Sequence, residues 1–282
     1  MKQKSGDNST NYQAETMNIG VSADEARNIA IDVFKSNFLD LSQQAADLAT
    51  TRAERLVNDY LEKLSKQYPD GIEKMKNPDM QYALFEAQKE YARTGNDNLE
   101  EMLVNILVER TKENDMTLKK IVLDESLKIL PKLTQLQIDI LSLSFFCKKV
   151  GFNYQHKNSQ FANGIFNIYL KFINPFSPFH IPFQDYNLFE HLVYTGAARL
   201  SIGEISFEKL LKNKYPNIFS DFDEKEVSQM IDEFHPNLKE IKNTWNSTNL
   251  KHMEITSVGL AIGHANLTKK CGIDTNLSIW IS

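Results

Sequence analysis

The chain has 282 residues, 41% of them hydrophobic and 24% charged, and a net charge of −5. Gly and Pro number only 11 and 8, far below the roughly 12% of average usage, which excludes a turn-dense β-sandwich or β-barrel. The acidic balance, with a pI near 5.8, argues against a broad phosphate-binding surface and against nucleic acid as a partner.

Residues 1–21 are polar and rich in Asn, Ser, Thr and Gln. They read as an extended or disordered segment, in which Thr10 to Met17 would need a partner edge to form a strand. Residues 1–8 lack the apolar stretch of a signal peptide, and no window approaches ~18 consecutive apolar residues, so a cytoplasmic protein without a transmembrane helix is expected.

Ser22-Ala23-Asp24-Glu25 is a capping box. No Gly or Pro follows until Pro69. Apolar residues recur at Ala26, Ala30, Val33, Phe34, Phe38, Leu41, Ala45, Leu48, Ala49, Ala53, Leu56, Tyr60 and Leu64. From Phe34 to Leu48 the steps alternate between four and three, the heptad rhythm. The pattern predicts one long amphipathic helix over 22–68, about 65–70 Å at 1.5 Å per residue. Such a helix is longer than a small domain is wide, so it is bent or broken, lies across the rest of the chain as a core helix, or projects and joins a second copy, making a homo-oligomer. Its polar face is mixed in charge rather than Lys-rich, so the stripe alone does not specify a lipid-binding helix, although peripheral membrane contact stays open.

Residues 69–150 read as a helical bundle. Asn77-Pro78 starts one helix and Gly95 ends it. Asp97 or Asn98 starts the next, Thr117 caps a third that Pro131 stops, and Thr134-Gln135-Leu136-Gln137 is a second capping box opening a helix to Val150. Residues 151–282 are Phe-rich: of 17 Phe, only Phe34, Phe38 and Phe85 precede Phe145. A helix over 160–173, a Pro-broken loop over 174–183 and helices near 185–195, 206–214, 224–234 and 237–245 are predicted. Ile255 to Gly259 reads as a short strand leading into a helix through Thr268, and Asn276 to Ile281 as a closing strand. The expected fold is mainly α: a long N-terminal helix plus a helical bundle, with a smaller Phe-rich α+β, winged-helix-like C-terminal part.

Reaction chemistry is not visible. There is no GxSxG elbow, Walker A sequence or GxGxxG. Gly259-Leu260-Ala261-Ile262-Gly263 suits close helix packing rather than phosphate binding. His252, His264 and Cys271 are the nearest approach to a metal set, but lack metal-site spacing. Cys147 and Cys271 read as reduced thiols. Glu100-Glu101 and Asp223-Glu224 lie at helix starts, where the dipole accounts for them. Lys209, Lys212 and Lys214 are the densest basic cluster, with Lys269-Lys270 apart from it. No catalytic, cofactor-binding or metal residue is assigned, no cofactor is expected, and the chain reads as a non-enzyme.

Two stretches resemble known proteins. Gly6-Asp7-Asn8-Ser9-Thr10-Asn11-Tyr12-Gln13-Ala14 resembles a short signature that precedes helical regions in bacterial defence-associated proteins. Residues 83–143 are similar to the abortive-infection alpha (Abi-alpha) proteins in Ala87, Ala92-Arg93-Thr94-Gly95, Leu103, Glu109-Arg110, Pro131-Lys132-Leu133-Thr134 and Ile138 to Leu143. Thr256-Ser257-Val258-Gly259-Leu260-Ala261-Ile262 extends the likeness, with Ile255-Thr256 in place of the family's Leu-Thr. The resemblance implies a bacterial, helical, cytosolic protein acting in defence against phage, and no catalytic residues. A self-associating interaction protein with a protein trigger or partner is the expected function. A membrane-directed effector and a nucleic-acid-binding regulator using the C-terminal part are the alternatives.

Overall fold

A computed structural model describes residues 21–37, 43–114, 116–152, 161–177, 179, 181, 186–272 and 275–281. The polar segment 1–20 and its expected strand lie outside the described residues. The fold is mainly helical, with a single two-stranded sheet among the described residues.

The Ser22–Glu25 capping box forms as the sequence dictates: the Glu25 amide donates to Ser22 Oγ (3.2 Å) and the Ser22 amide to Glu25 Oε2 (2.9 Å). It opens α1 (Ala23–Asn37), which is followed by α2 (Gln43–Gln67). These are two helices side by side, not one helix over 22–68. Arg27 donates from Nε to Asn58 Oδ1 (3.0 Å) and lies 3.6 Å from Glu54, whereas a straight helix would hold Arg27 and Glu54 about 40 Å apart. Doubling back buries the apolar stripe within the chain. Phe34 packs with Ala49, Ala53 and Ala92 in a small cluster of their own, and Leu56, Val57, Tyr60 and Leu64 enter the main core. Most described members of the stripe are therefore satisfied in cis, Leu48 remaining exposed, and the helix does not project as a straight stalk.

The bundle continues with α3 (Pro78–Thr94), α4 (Asp97–Thr111), α5 (Leu118–Ile129) and α6 (Gln135–Lys149). Their ends follow local rules. Asn77 caps α3 by accepting from the Asp79 amide, and Gly95 ends it in the left-handed conformation, at φ 62°. Asn96 caps α4, one residue before the expected start. Thr117 caps α5, and Thr134 with Gln137 completes the predicted capping box on α6.

Beyond Gly151 come α7 (Ala162–Ile173), α8 (Tyr186–Tyr194), β1 (Ala198–Leu200), α9 (Phe207–Lys214), a one-turn α10 (Pro216–Phe219), α11 (Glu224–Phe234), α12 (Pro236–Ser247), β2 (Met253–Ile255) and α13 (Ser257–Cys271). The strands pair antiparallel, with Ala198 opposite Ile255 and Leu200 opposite Met253. They bring together the two ends of the excursion that carries α9 to α12.

The composition change at Gly151 does not divide the core. One continuous apolar cluster runs from Val21 to Ile281. Helix α13 packs on α4, α5 and above all α6, so the C-terminal helix completes the N-terminal bundle. Its Gly259 and Gly263 permit the approach. A Cβ on Gly259 would meet the Ala197 carbonyl oxygen at 1.9 Å, and one on Gly263 would meet the Leu141 oxygen at 2.8 Å. A buried polar clasp fixes the register: Asn266 Nδ2 donates to Asp139 Oδ1 (2.9 Å) and Ser142 Oγ (2.8 Å), while Lys270 reaches Asp139 Oδ2 (3.0 Å). The two halves also share aromatics, with Phe146 of α6 stacked on Phe172 of α7 at 4.6 Å.

Two strand assignments shift. The strand expected at Ile255–Gly259 is β2, placed two residues earlier, because Thr256 caps α13 by accepting from the Gly259 amide (3.2 Å). The expected closing strand at Asn276–Ile281 is instead a 3-10 turn over Leu277–Ile279, with Asn276 accepting from the Ser278 amide. Leu277, Ile279 and Ile281 alternate as a strand face would, but Leu277 and Ile281 are also four apart. That spacing buries both in a helical turn and leaves Ile279 exposed.

Gly259→Ala is expected to destabilise the protein by about 3 kcal/mol or more, because the new methyl meets rigid backbone. Gly203→Ala, where a Cβ meets nothing within 4 Å, should stay within about 0.5 kcal/mol. Urea denaturation of the two variants beside the parent measures both.

Candidate functional site

The residues singled out by type are used by the fold. His252 lies 3.7 Å from Glu204, the His264 ring Nε2 lies 2.8 Å from the Thr275 carbonyl, and Cys271 Sγ faces the Phe172 carbonyl at 3.8 Å. They do not converge, and among the described residues no group of three His, Cys, Asp or Glu is placed to hold a metal. The basic cluster is divided too. Lys209 is exposed, Lys212 donates to the Phe222 carbonyl, and Lys214 is turned inward to the Cys147 (2.7 Å) and Phe146 (3.1 Å) carbonyls. Lys269 pairs with Glu101 and Lys270 with Asp139. A basic face reading phosphates is not assembled from these lysines. Among the described residues no helix is long and apolar enough to cross a membrane.

Two features remain that the fold does not consume. The first is an apolar corner. Thr117 starts α5, and the exposed side chains around it are Met116 (74%), Leu118 and Ile121. Lys119, buried between them, donates to Ser278 Oγ at 3.1 Å. That bond brings the turn at 277–279 to the same corner, and with it Ile279, 69% exposed. Two segments about 160 positions apart are thus joined, and each carries exposed apolar side chains. Around them charge alternates: Lys119 lies 3.4 Å from Glu109 and 3.2 Å from Glu113, and Lys112 pairs with Glu109. Clustered exposed apolar groups with a polar rim are the ordinary signature of an interaction surface. The sequence does not show this corner, because Asn276 to Ile281 reads as a strand and the helix capped by Thr117 reads as one more member of the bundle.

The second is an acidic seam between α2 and α4. Asp59, Glu62, Lys63, Lys66, Glu100, Glu101 and Val104 line a cavity of about 310 Å³. Glu100 is 4% exposed. Arg55 lies 3.8 Å from it and is drawn more closely to Asp97, at 2.7 Å. Glu100 Oε1 has no donor. Burial, reinforced by the hydrogen bond and negative charge of Asp59, pushes the Glu100 carboxyl up to about 7. A protonated Glu100 supplies the proton that two facing carboxyls need between them. The helix-start dipole expected to account for Glu100 does not outweigh this burial.

A family model described only as "-like" matches residues 20–233 and 220–281. The chain belongs to that family. The family is uncharacterised, and its description names no activity, ligand or partner. No curated protein and no solved structure matches the chain.

The Glu100 seam gives a pH dependence whose sign is fixed. The folded carboxyl holds its proton up to about pH 7, while the unfolded one releases it near pH 4.5. The folded state therefore binds the extra proton between those values, and stability falls as pH rises through the window. Glu100→Gln should remove that slope and stabilise the protein at pH 8 by on the order of 2 kcal/mol. Urea midpoints at pH 5, 6, 7 and 8 for both proteins test it; parallel profiles would refute it.

Proposed function

We propose that this protein is a non-enzymatic interaction protein that associates with a second copy of itself through the corner formed by Met116, Leu118, Ile121 and Ile279. The single observation that carries this reading is the Lys119–Ser278 hydrogen bond, which joins two distant chain segments that each carry exposed apolar side chains. A rim bearing both signs of charge can be self-complementary about a two-fold axis, as an isologous interface requires. We place association at this corner rather than along α1 and α2, because Phe34, Ala49, Ala53, Leu56, Tyr60 and Leu64 of the expected stripe are buried within the chain. The setting we propose is a cytoplasmic one, in bacterial defence against phage. It rests on the resemblance of residues 83–143 and 256–262 to the abortive-infection alpha proteins.

Light scattering on the purified full chain at tens of micromolar should give twice the monomer mass of 32.4 kDa. Leu118→Glu combined with Ile279→Glu should return it to the monomer with unchanged helical circular dichroism, since both side chains are exposed. A monomeric parent protein would overturn the reading. So would a dimer indifferent to the double substitution. Flotation with liposomes, lost on the same substitution, would assign the corner to a membrane surface instead.

A further inference from the structure

A cavity of about 350 Å³ opens where the end of α6 meets α9, lined by Cys147, Lys148, Lys149, Ile205, Leu210, Asn213, Lys214 and Glu254. Its charges are unbalanced. Lys148 and Glu254 neutralise one another at 2.9 Å, and Lys148 also donates to the Met253 carbonyl at 2.6 Å. Lys149 and Lys214 are then left as lining cations, in a chain whose net charge is −5. Lys149 and Asn213 are exposed at the mouth. Lys214 lies deeper. Its ammonium has three N–H donors, of which the Phe146 and Cys147 carbonyls take two. The rings of Phe146, Tyr169 and Tyr215 lie 5.9 to 6.0 Å from its nitrogen.

We propose that this cavity binds a small phosphate monoester, with the phosphate held between Lys214 and Lys149 and the organic group against Ile205 and Leu210. Two lysines that line one cavity and form no ion pair among the described residues suit a dianion, and lysine serves as a point-charge phosphate ligand. The Asn213 amide offers further donors. The apolar wall gives an ester, rather than inorganic phosphate, something to bury. The volume lies at the lower end of ligand-sized cavities, which run from about 300 to 1,000 Å³. Burial holds the Lys214 ammonium down at about 8, and a bound dianion would raise it again by returning opposite charge to the site. The inference stands apart from self-association and does not depend on it.

The probe is phenyl phosphate, titrated into the full chain by calorimetry, with benzoate and inorganic phosphate as comparisons. Saturable binding of phenyl phosphate is expected, about tenfold or more weaker for benzoate. Lys149→Gln, at an exposed position, should keep the melting temperature and weaken phenyl phosphate about tenfold. Lys214→Met should abolish binding, and because it also removes a cap on α6 its fold is checked by circular dichroism. Should that variant unfold, Lys149→Gln decides alone. Absence of saturable binding at millimolar phenyl phosphate overturns the proposal. Equal affinity of the parent and Lys149→Gln, or equal affinity for benzoate, also overturns it.

Discussion

Gly259 and Gly263 set the distance at which α13 can lie on its neighbours. One glycine faces the Ala197 carbonyl just before β1 and the other the Leu141 carbonyl of α6, both closer than any side chain would allow. Much else depends on that approach. Asn266 can bond Asp139 and Ser142 only with the axes this near. The short ladder of β1 and β2 ends where Thr256 turns the chain into α13, its hydroxyl donating to the Gly196 carbonyl at 2.7 Å. The same register brings the turn at 277–279 back to α5, and so builds the exposed corner.

Buried charge is handled in two ways. Arg110, almost fully covered, donates to Asp79 and to Asp124 (2.9 Å) and ties α3, α4 and α5 together. Lys242 likewise bonds Asp232 and Ser228 (2.9 Å), fastening α12 to α11. These are hydrogen-bonded pairs whose desolvation is offset in place. Glu100 and Lys214 differ. Glu100 has Arg55 no nearer than 3.8 Å, Lys214 is enclosed by carbonyls and aromatic rings, and burial displaces the ionisation of each toward neutrality. Such groups are where a fold retains chemistry that it does not use for its own cohesion.

Local rules in the sequence carry over almost residue for residue. Capping at Ser22, Asn77, Thr117 and Thr134 and the stop at Gly95 are backbone chemistry, decided within four residues. The reversal between α1 and α2 was not legible, because helical spacing continues through it and no Gly or Pro marks it. Phe34, Ala49 and Ala53 belong to one repeat on paper and meet across the hairpin in space. The one-turn α10 was too short to show a period. The Glu100 seam and the Lys214 cavity lay further out of reach. Both depend on burial by residues far along the chain, and neither Glu100-Glu101 at a helix start nor Lys209, Lys212 and Lys214 along α9 shows which member turns inward.

The helix that closes the bundle is made after the helices it covers. While the polypeptide is being synthesised, α4, α5 and α6 emerge with one apolar side uncovered, and it stays uncovered until residues 257–271 follow. The contacts that finish the core join residues more than a hundred positions apart, so final closure is a late, non-local event. A chain stopped at Thr256 lacks the element that packs α6, and it should be cut by protease within residues 97–149 faster than the 282-residue chain. Compaction of the bundle therefore waits for α13, which follows α6 by more than a hundred residues.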